Sequence, residues 1–272
     1  MKANTAIGIG VGFFGLLMGA MMEGTSVPAF FNISALLIIL GGTGGVTLAG
    51  TSMGQFKKIP ALYKIAMSPP VLDMRGRVAL LVKFAEMARR EGLLALDDEL
   101  QSVDDEFTKK GMQLVVDGTD PELVREILEI EMDAMAARHA LGAQPFEKAG
   151  GFAPTMGIIG TVMGLVHVLE NLSRPATLGP SISSAFIATL YGVGSANVIF
   201  LPIANKLKYL SSQEQELRMM TLEGILAIQA GDNPRVVESK LMSYVSPEER
   251  AGAGDEEGAP AGVAEPATAA AA

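Results

Sequence analysis

The sequence predicts an all-α, polytopic membrane protein with four transmembrane helices and a helical cytoplasmic domain. Three observations carry this. Residues 5–22, 32–49, 151–169 and 181–204 contain no Lys, Arg, Asp or Glu, and each run approaches the ~20 residues that a membrane-crossing helix needs. The bases gather at one end of these runs. No period-2 strand pattern of any length is present.

The expected organisation follows the changes in composition: helices 1 and 2 in residues 1–52, a cytoplasmic helical domain in 53–148, helices 3 and 4 in 149–205, a cytoplasmic extension in 206–246 and a disordered tail in 247–272. The first run follows Lys2, as a signal peptide would. It is long, however, and Met21-Met22-Glu23 lacks a small-x-small cleavage site, so a retained helix is expected. Its glycines at 8, 12, 15 and 19 form one stripe, and the second run carries Gly41, Gly42, Gly44 and Gly45. Helices in lipid gain little from hiding apolar side chains, so close contact of small residues holds them together.

From residue 55 the chain becomes charged. Asp73 to Glu91 places Val78, Leu81, Val82, Ala85 and Ala88 on one helical face, and Gly92 ends or kinks that helix. One or two more helices are expected in 93–110. Asp120-Pro121-Glu122 is a strong helix start, and that helix is expected to stop at Gly142. Residues 206–229 read as an amphipathic continuation of the fourth span, Gly231 to Pro234 as a turn, and 234–244 as a short helix. Beyond Pro247, Ala, Gly, Pro and Glu show no apolar periodicity.

Lys2, Lys57, Lys58, Lys64, Lys148, Lys206 and Lys208 flank the spans on one side, and the turns on the other side carry only Arg174. The positive-inside rule puts both termini and the middle domain in the cytoplasm. The 272 residues are 49% hydrophobic and 19% charged, which suits a membrane protein with a sizeable wet part. A net charge of −9 argues against nucleic-acid binding. The absence of Cys removes disulfides and zinc-thiolate sites, and two His are too few for a histidine metal centre. No cofactor and no enzyme activity are expected.

The two central runs carry the most information. One stripe reads Gly157, Gly160, Thr161, Gly164. The other reads Ser181, Ala185, Ala188, Thr189, Gly192, Ser195, Ala196. They line a path or a seam. None of the four runs holds a carboxylate in its interior, so this chain alone offers no proton relay and no acidic ion site. The hydroxyls of Thr161 and Thr189 either bond back to helix backbone or help coordinate an ion beside a partner helix that brings the carboxylate. Pro154 reads as a helix start. Pro202 falls inside an apparently continuous helix, frees the carbonyl of Val198 and bends it. His167 reads as an interfacial histidine rather than a relay.

The run GFAPTMGIIGTVMGL at 151–165 resembles the third-span signature of the bacterial flagellar stator A subunit, the MotA/PomA family. AFIATLYG at 185–192, Asn197 and PIANKL at 202–207 resemble its fourth span, and ARREGLLAL at 88–96 its charged cytoplasmic segment. The likeness covers about residues 1–245. It implies five copies around two B subunits (MotB/PomB type), each with one membrane helix carrying an essential Asp. Na+ or H+ crossing between the subunits turns the ring against the rotor protein FliG. By position, Pro154 and Pro202 match the torque-linked prolines, and Arg89, Arg90 and Asp97 the rotor-facing charges. Asp97 stands where the family more often has Glu, and Asp98 beside it can share the role. Thr189 matches the hydroxyl near the B-subunit Asp, and Thr161 a position that is Thr in sodium-driven members, which favours sodium. An energy transducer resembling TolQ/ExbB is the alternative, but that class has three spans. A self-contained transporter would need internal repeats and a midplane polar site, and neither is present.

Overall fold

The computed structural model describes residues 4–25 and 27–251. Among them every regular element is helical and no strand occurs. The chain divides into two compact units, Met1–Val71 with Glu131–Gln215, and Leu72–Ile130 with Glu216–Ala272.

The first unit is the apolar one. Helix α1 (Asn4–Met22) has no buried residue, and its Val11 is 67% exposed. Such an apolar surface on an uncharged helix suits contact with lipid or with another membrane helix. Helix α2 (Ile33–Ala49) starts where Asn32 accepts from the Ala35 amide, and it contains a π turn at Leu37–Gly41. Helix α3 (Met53–Met67) opens on a capping box, with Ser52 and Gln55 each satisfying the other's backbone amide. Two long helices complete the unit: residues 131–170 of α7 (Pro121–Glu170) and residues 175–215 of α8 (Pro175–Gln229). Helices α1, α7 and α8 are long and apolar enough to cross a membrane, while α2 is apolar but shorter, at the low end of a spanning length.

Helix α7 departs from expectation. It neither stops at Gly142 nor restarts at Pro154, but runs 50 residues through Gly142, Pro145 and Pro154. Packing is the reason. A Cβ on Gly142 would lie 3.4 Å from Leu62, so the glycine admits α3 instead of ending the helix. Ala143 and Phe146 are buried with Ala66, Ile203 and Leu207, which holds the helix through Pro145. Each internal proline removes one backbone bond, and this contact surface offsets the loss. Helix α3, expected in the middle domain, belongs by its packing to this unit.

The second unit holds α4 (Met74–Glu91), α5 (Leu96–Leu100), α6 (Glu106–Val116), α9 (Pro234–Met242), α10 (Pro247–Ala251) and the neighbouring ends of α7 and α8. Asp73 caps α4 by accepting from the Gly76 amide at 2.8 Å, and Val78, Leu81 and Ala85 are buried as their spacing requires. Gly92 ends α4 with φ +88°, a conformation that costs a residue with a Cβ far more. A single 3₁₀ turn, Leu93–Ala95, then leads into α5. Glycine also permits close packing. A Cβ on Gly111 would sit 2.5 Å from Ile225 and 2.9 Å from Leu128, and one on Gly224 would sit 2.7 Å from Leu81. Helix α10 occupies the first residues of the stretch expected to be disordered, a local helix of five residues; the rest of that stretch, from 252, lies outside the described residues.

Candidate functional site

The two small-residue stripes of the first unit meet each other. A Cβ on Gly160 would lie 2.7 Å from Ala188 Cβ, and one on Gly164 2.6 Å from Ala185 Cβ. One on Gly157 would lie 3.0 Å from Thr189 Cα, and Gly192 abuts the Ala153 carbonyl. The pairs 153/192, 157/189, 160/188 and 164/185 define an antiparallel seam between α7 and α8. Backbones this close require small residues on both sides. The stripes therefore form a seam along their own length.

Thr161 and Thr189 sit on that seam, both half-buried, and their hydroxyls hydrogen-bond to each other. Thr161 Oγ1 is also 3.1 Å from the Gly157 carbonyl on its own helix and 3.0 Å from the Ala185 carbonyl across the seam. Thr189 Oγ1 reaches the Gly157 carbonyl at 3.3 Å. Two hydroxyls have only two hydrogens for these acceptors, so the bonds alternate. The result is four oxygens converging on one place in an uncharged helix pair. Both hydroxyls bond to backbone carbonyls, which is the first of the two readings left open by the sequence, and they also face each other across the seam. Such an oxygen set suits a hard cation or an ordered water. Among the described residues no cluster of three or more His, Asp or Glu is arranged to hold a metal.

Pro154 and Pro202 lie within the same helix pair. Pro154 leaves the Gly150 carbonyl without its helical donor, and Pro202 does the same to Val198. A Cβ on Gly150 would lie 2.5 Å from Leu201 Cδ2, next to Pro202. The π turn Ala196–Phe200 immediately precedes Pro202 and takes up the irregularity without ending the helix. The two weakened turns thus touch, a juxtaposition invisible in the sequence.

In the second unit, Arg89 and Arg90 are exposed in the last turn of α4, and Asp97 and Asp98 are exposed in the first turn of α5. Each pair complements its helix dipole. Lys83 on α4 and Glu99 on α5 form an ion pair at 2.6 Å, and Asp97 accepts from Gln113 Nε2 at 3.2 Å. Neither arginine meets a carboxylate among the described residues. All four charges are exposed on this unit.

Two partly buried networks had no signal in the sequence. Arg77 pairs with Asp105 at 2.5 Å and donates to Thr108, while Asp105 accepts from the Thr108 amide at 2.8 Å and so caps α6. Burial works to raise the Asp105 carboxyl, but the bonds from Arg77 and Thr108 outweigh it and hold it below the usual carboxylate value. Glu223 behaves alike: burial opposes ionisation, and Lys240 at 3.0 Å with Arg125 at 3.2 Å overcomes it. In the first unit, the hydroxyls of Thr43 and Thr47 are buried without a hydrogen-bond partner among the described residues. His167 is exposed and lies 3.5 Å from the Asn171 side-chain amide.

Residues 99–220 match the model of the MotA/TolQ/ExbB proton channel family. The chain is 39% identical to Motility protein A of Borreliella burgdorferi over 92% of its own length and 96% of that protein's. It is 36% identical to the chemotaxis protein PomA of Vibrio alginolyticus, covering 92% and 98% of the two chains. It superimposes on a chain of the flagellar MotAB stator complex from Bacillus subtilis with a TM-score of 0.84 at 38% identity, over 91% of this chain and 98% of the other.

Proposed function

The chain belongs to the MotA/PomA family of flagellar stator subunits, and from that premise we propose that it forms, with a B-type subunit, an ion-driven rotary unit that turns the flagellum. It is a multi-pass protein of the bacterial inner membrane, and its family is one of channels and transducers, not of enzymes. The observation that carries the proposal is the seam: hydroxyl and carbonyl oxygens at Thr161, Thr189, Gly157 and Ala185, with no carboxylate within the uncharged runs 5–22, 32–49, 151–169 and 181–204. An ion can be wetted there, but it needs a charge from a second helix to draw it in. The B subunit, with its membrane Asp, supplies that charge. The likeness to a chain from a two-component stator complex supports this division of labour. The family model alone serves flagellar and TolQ/ExbB-like transducers equally, and likeness to motility proteins over nine tenths of the chain favours the former.

Four helices, α1, α2, α7 and α8, cross the membrane in this reading, with both termini and the charged unit in the cytoplasm. Five copies surround two B subunits. Sodium is favoured over protons because Thr161 adds an oxygen where alanine would offer none. Pro154 and Pro202 form the yielding point at which rearrangement around the ion passes into the helices, since their touching turns have fewer backbone bonds to break. Arg89, Arg90, Asp97 and Asp98 meet the rotor protein FliG, where exposed charges steer and align a moving surface more than they bind it. The test is swimming speed against sodium concentration in a strain carrying only this stator. Speed that rises and saturates with sodium is the expected result, and speed indifferent to sodium removes the ion assignment.

A further inference from the structure

We propose that the pocket between α1 and the π turn of α8 binds an anionic phospholipid, whose phosphate sits against Lys206 and Tyr209. The pocket holds about 490 Å³, enough for a head group and the start of an acyl chain. Its lining is divided by chemistry. One part offers donors. Lys206 Nζ lies 4.8 Å from the centroid of the Tyr209 ring, and no carboxylate pairs with it among the described residues, whereas its neighbour Lys208 pairs with Glu147. The Tyr209 oxygen accepts from Gln213 Nε2 at 2.9 Å, which leaves its O–H free to donate. Asn205, exposed in the same lining, adds a side-chain amide.

The other part is an uncharged trough, in which Asn4, Thr5 and Asn197 stand beside Gly8, Ile9, Gly12 and Val198. Gly12 faces Val198, with a Cβ on it 3.5 Å from the valine, and around Gly8 there is open space. From Asn4 to Gly12 the α1 side of the trough is about 12 Å long. No Asp or Glu lines any of it. A site with a cation, hydroxyl and amide donors at one end and an uncharged groove at the other complements a lipid phosphate on its acyl chain. Basic pockets between membrane helices recognise such head groups. Under the orientation proposed above, the lipid comes from the cytoplasmic leaflet. Its bound chain would wedge α1 against the π turn that precedes Pro202.

The test uses the full complex with its B subunit, purified into nanodiscs of phosphatidylglycerol mixed with phosphatidylcholine, with retained lipid counted by native mass spectrometry. The wild type should retain phosphatidylglycerol preferentially. Lys206→Gln should lower that retention about fivefold, the effect of one basic residue at an anionic surface, and Lys206→Arg should restore it. A Cβ on Gly8 meets nothing within 4 Å, so Gly8→Leu should fill the groove and expel the lipid while leaving the complex assembled. Retention unchanged in Lys206→Gln, or equal for the two lipids, would overturn the proposal. So would displacement by inorganic phosphate alone, which would mark a soluble-anion site. The chain has no Cys, so Gly8→Cys gives a clean crosslinking probe; a crosslink to a second copy of the chain would make the pocket a subunit contact and end the lipid reading.

Discussion

The Thr161 hydroxyl lies 3.0 Å from the carbonyl oxygen of Ala185, a residue on the antiparallel neighbour helix. With the Thr161–Thr189 bond and the bond from Thr189 to the Gly157 carbonyl, it joins the two stripes at one point. Replacing Thr161 with Ala removes one of four oxygens and closes nothing. We expect assembly to survive and the sodium concentration for half-maximal swimming to rise by up to about tenfold, the equivalent of one lost charge-directed contact of about 1.4 kcal/mol. Thr161→Ser, which keeps the oxygen, should behave nearly as wild type. Equal sodium curves for Ala and wild type would detach the ion from this hydroxyl.

Gly160 and Gly164 leave no room for a side chain. Leu at either position should separate α7 from α8 and abolish stable protein, since overpacking by whole side chains costs at least about 1–3 kcal/mol. Gly10, around which nothing lies within 4 Å, should tolerate Ala in the isolated chain. Detergent-solubilised yield and thermal unfolding distinguish the two outcomes.

Arg90 is exposed at the end of α4 without an acidic partner among the described residues. Arg90→Glu should lower torque, read as the stall load of a tethered cell, while membrane insertion stays intact. It also places a negative charge at a helix C-terminus, an unfavourable change of about 0.3–1 kcal/mol. Arg90→Gln therefore serves as the gentler comparison. Loss of insertion in both variants would make the charge structural.

Asp105 and Glu223 both have carboxyls held below their ordinary values in the folded protein. Depressed folded values mean that their stabilisation is complete above the unfolded carboxylate range, near pH 4, and is lost as pH falls through the folded values. Thermal stability should therefore be flat with respect to these groups from pH 7 to about 5 and fall below about 4. Asp105→Asn should blunt that fall; because Asn still caps a helix, its cost at neutral pH reports the lost pairing with Arg77. An unchanged acid limb would mean that the Arg77 pairing contributes nothing.

Thr47 buries a hydroxyl that has no partner among the described residues. Thr47→Val keeps the shape and removes the unsatisfied group, so it should be neutral or stabilising by up to about 1 kcal/mol. A clear loss of stability would reveal a hydrogen-bond partner supplied by the assembled complex.

The sequence by itself determined which helices are apolar, which charges stay outside them and that no carboxylate lies inside. These are properties of runs and counts, and the cost of burying charge in lipid makes them binding on any fold. It also placed Thr161 and Thr189 on small-residue stripes. Only the tertiary structure decided that the stripes face each other, that the two hydroxyls share acceptors, and that Gly150 beneath Pro154 touches Leu201 beside Pro202. Those facts depend on the register between two helices, which is fixed by the fit of Gly160 to Ala188 and Gly164 to Ala185 and not by anything local to either. The continuity of α7 through Gly142, Pro145 and Pro154 was hidden for the same reason. Local propensity ends a helix at such residues, and the burial of Ala143 and Phe146 against Ala66 and Ile203 carries it on.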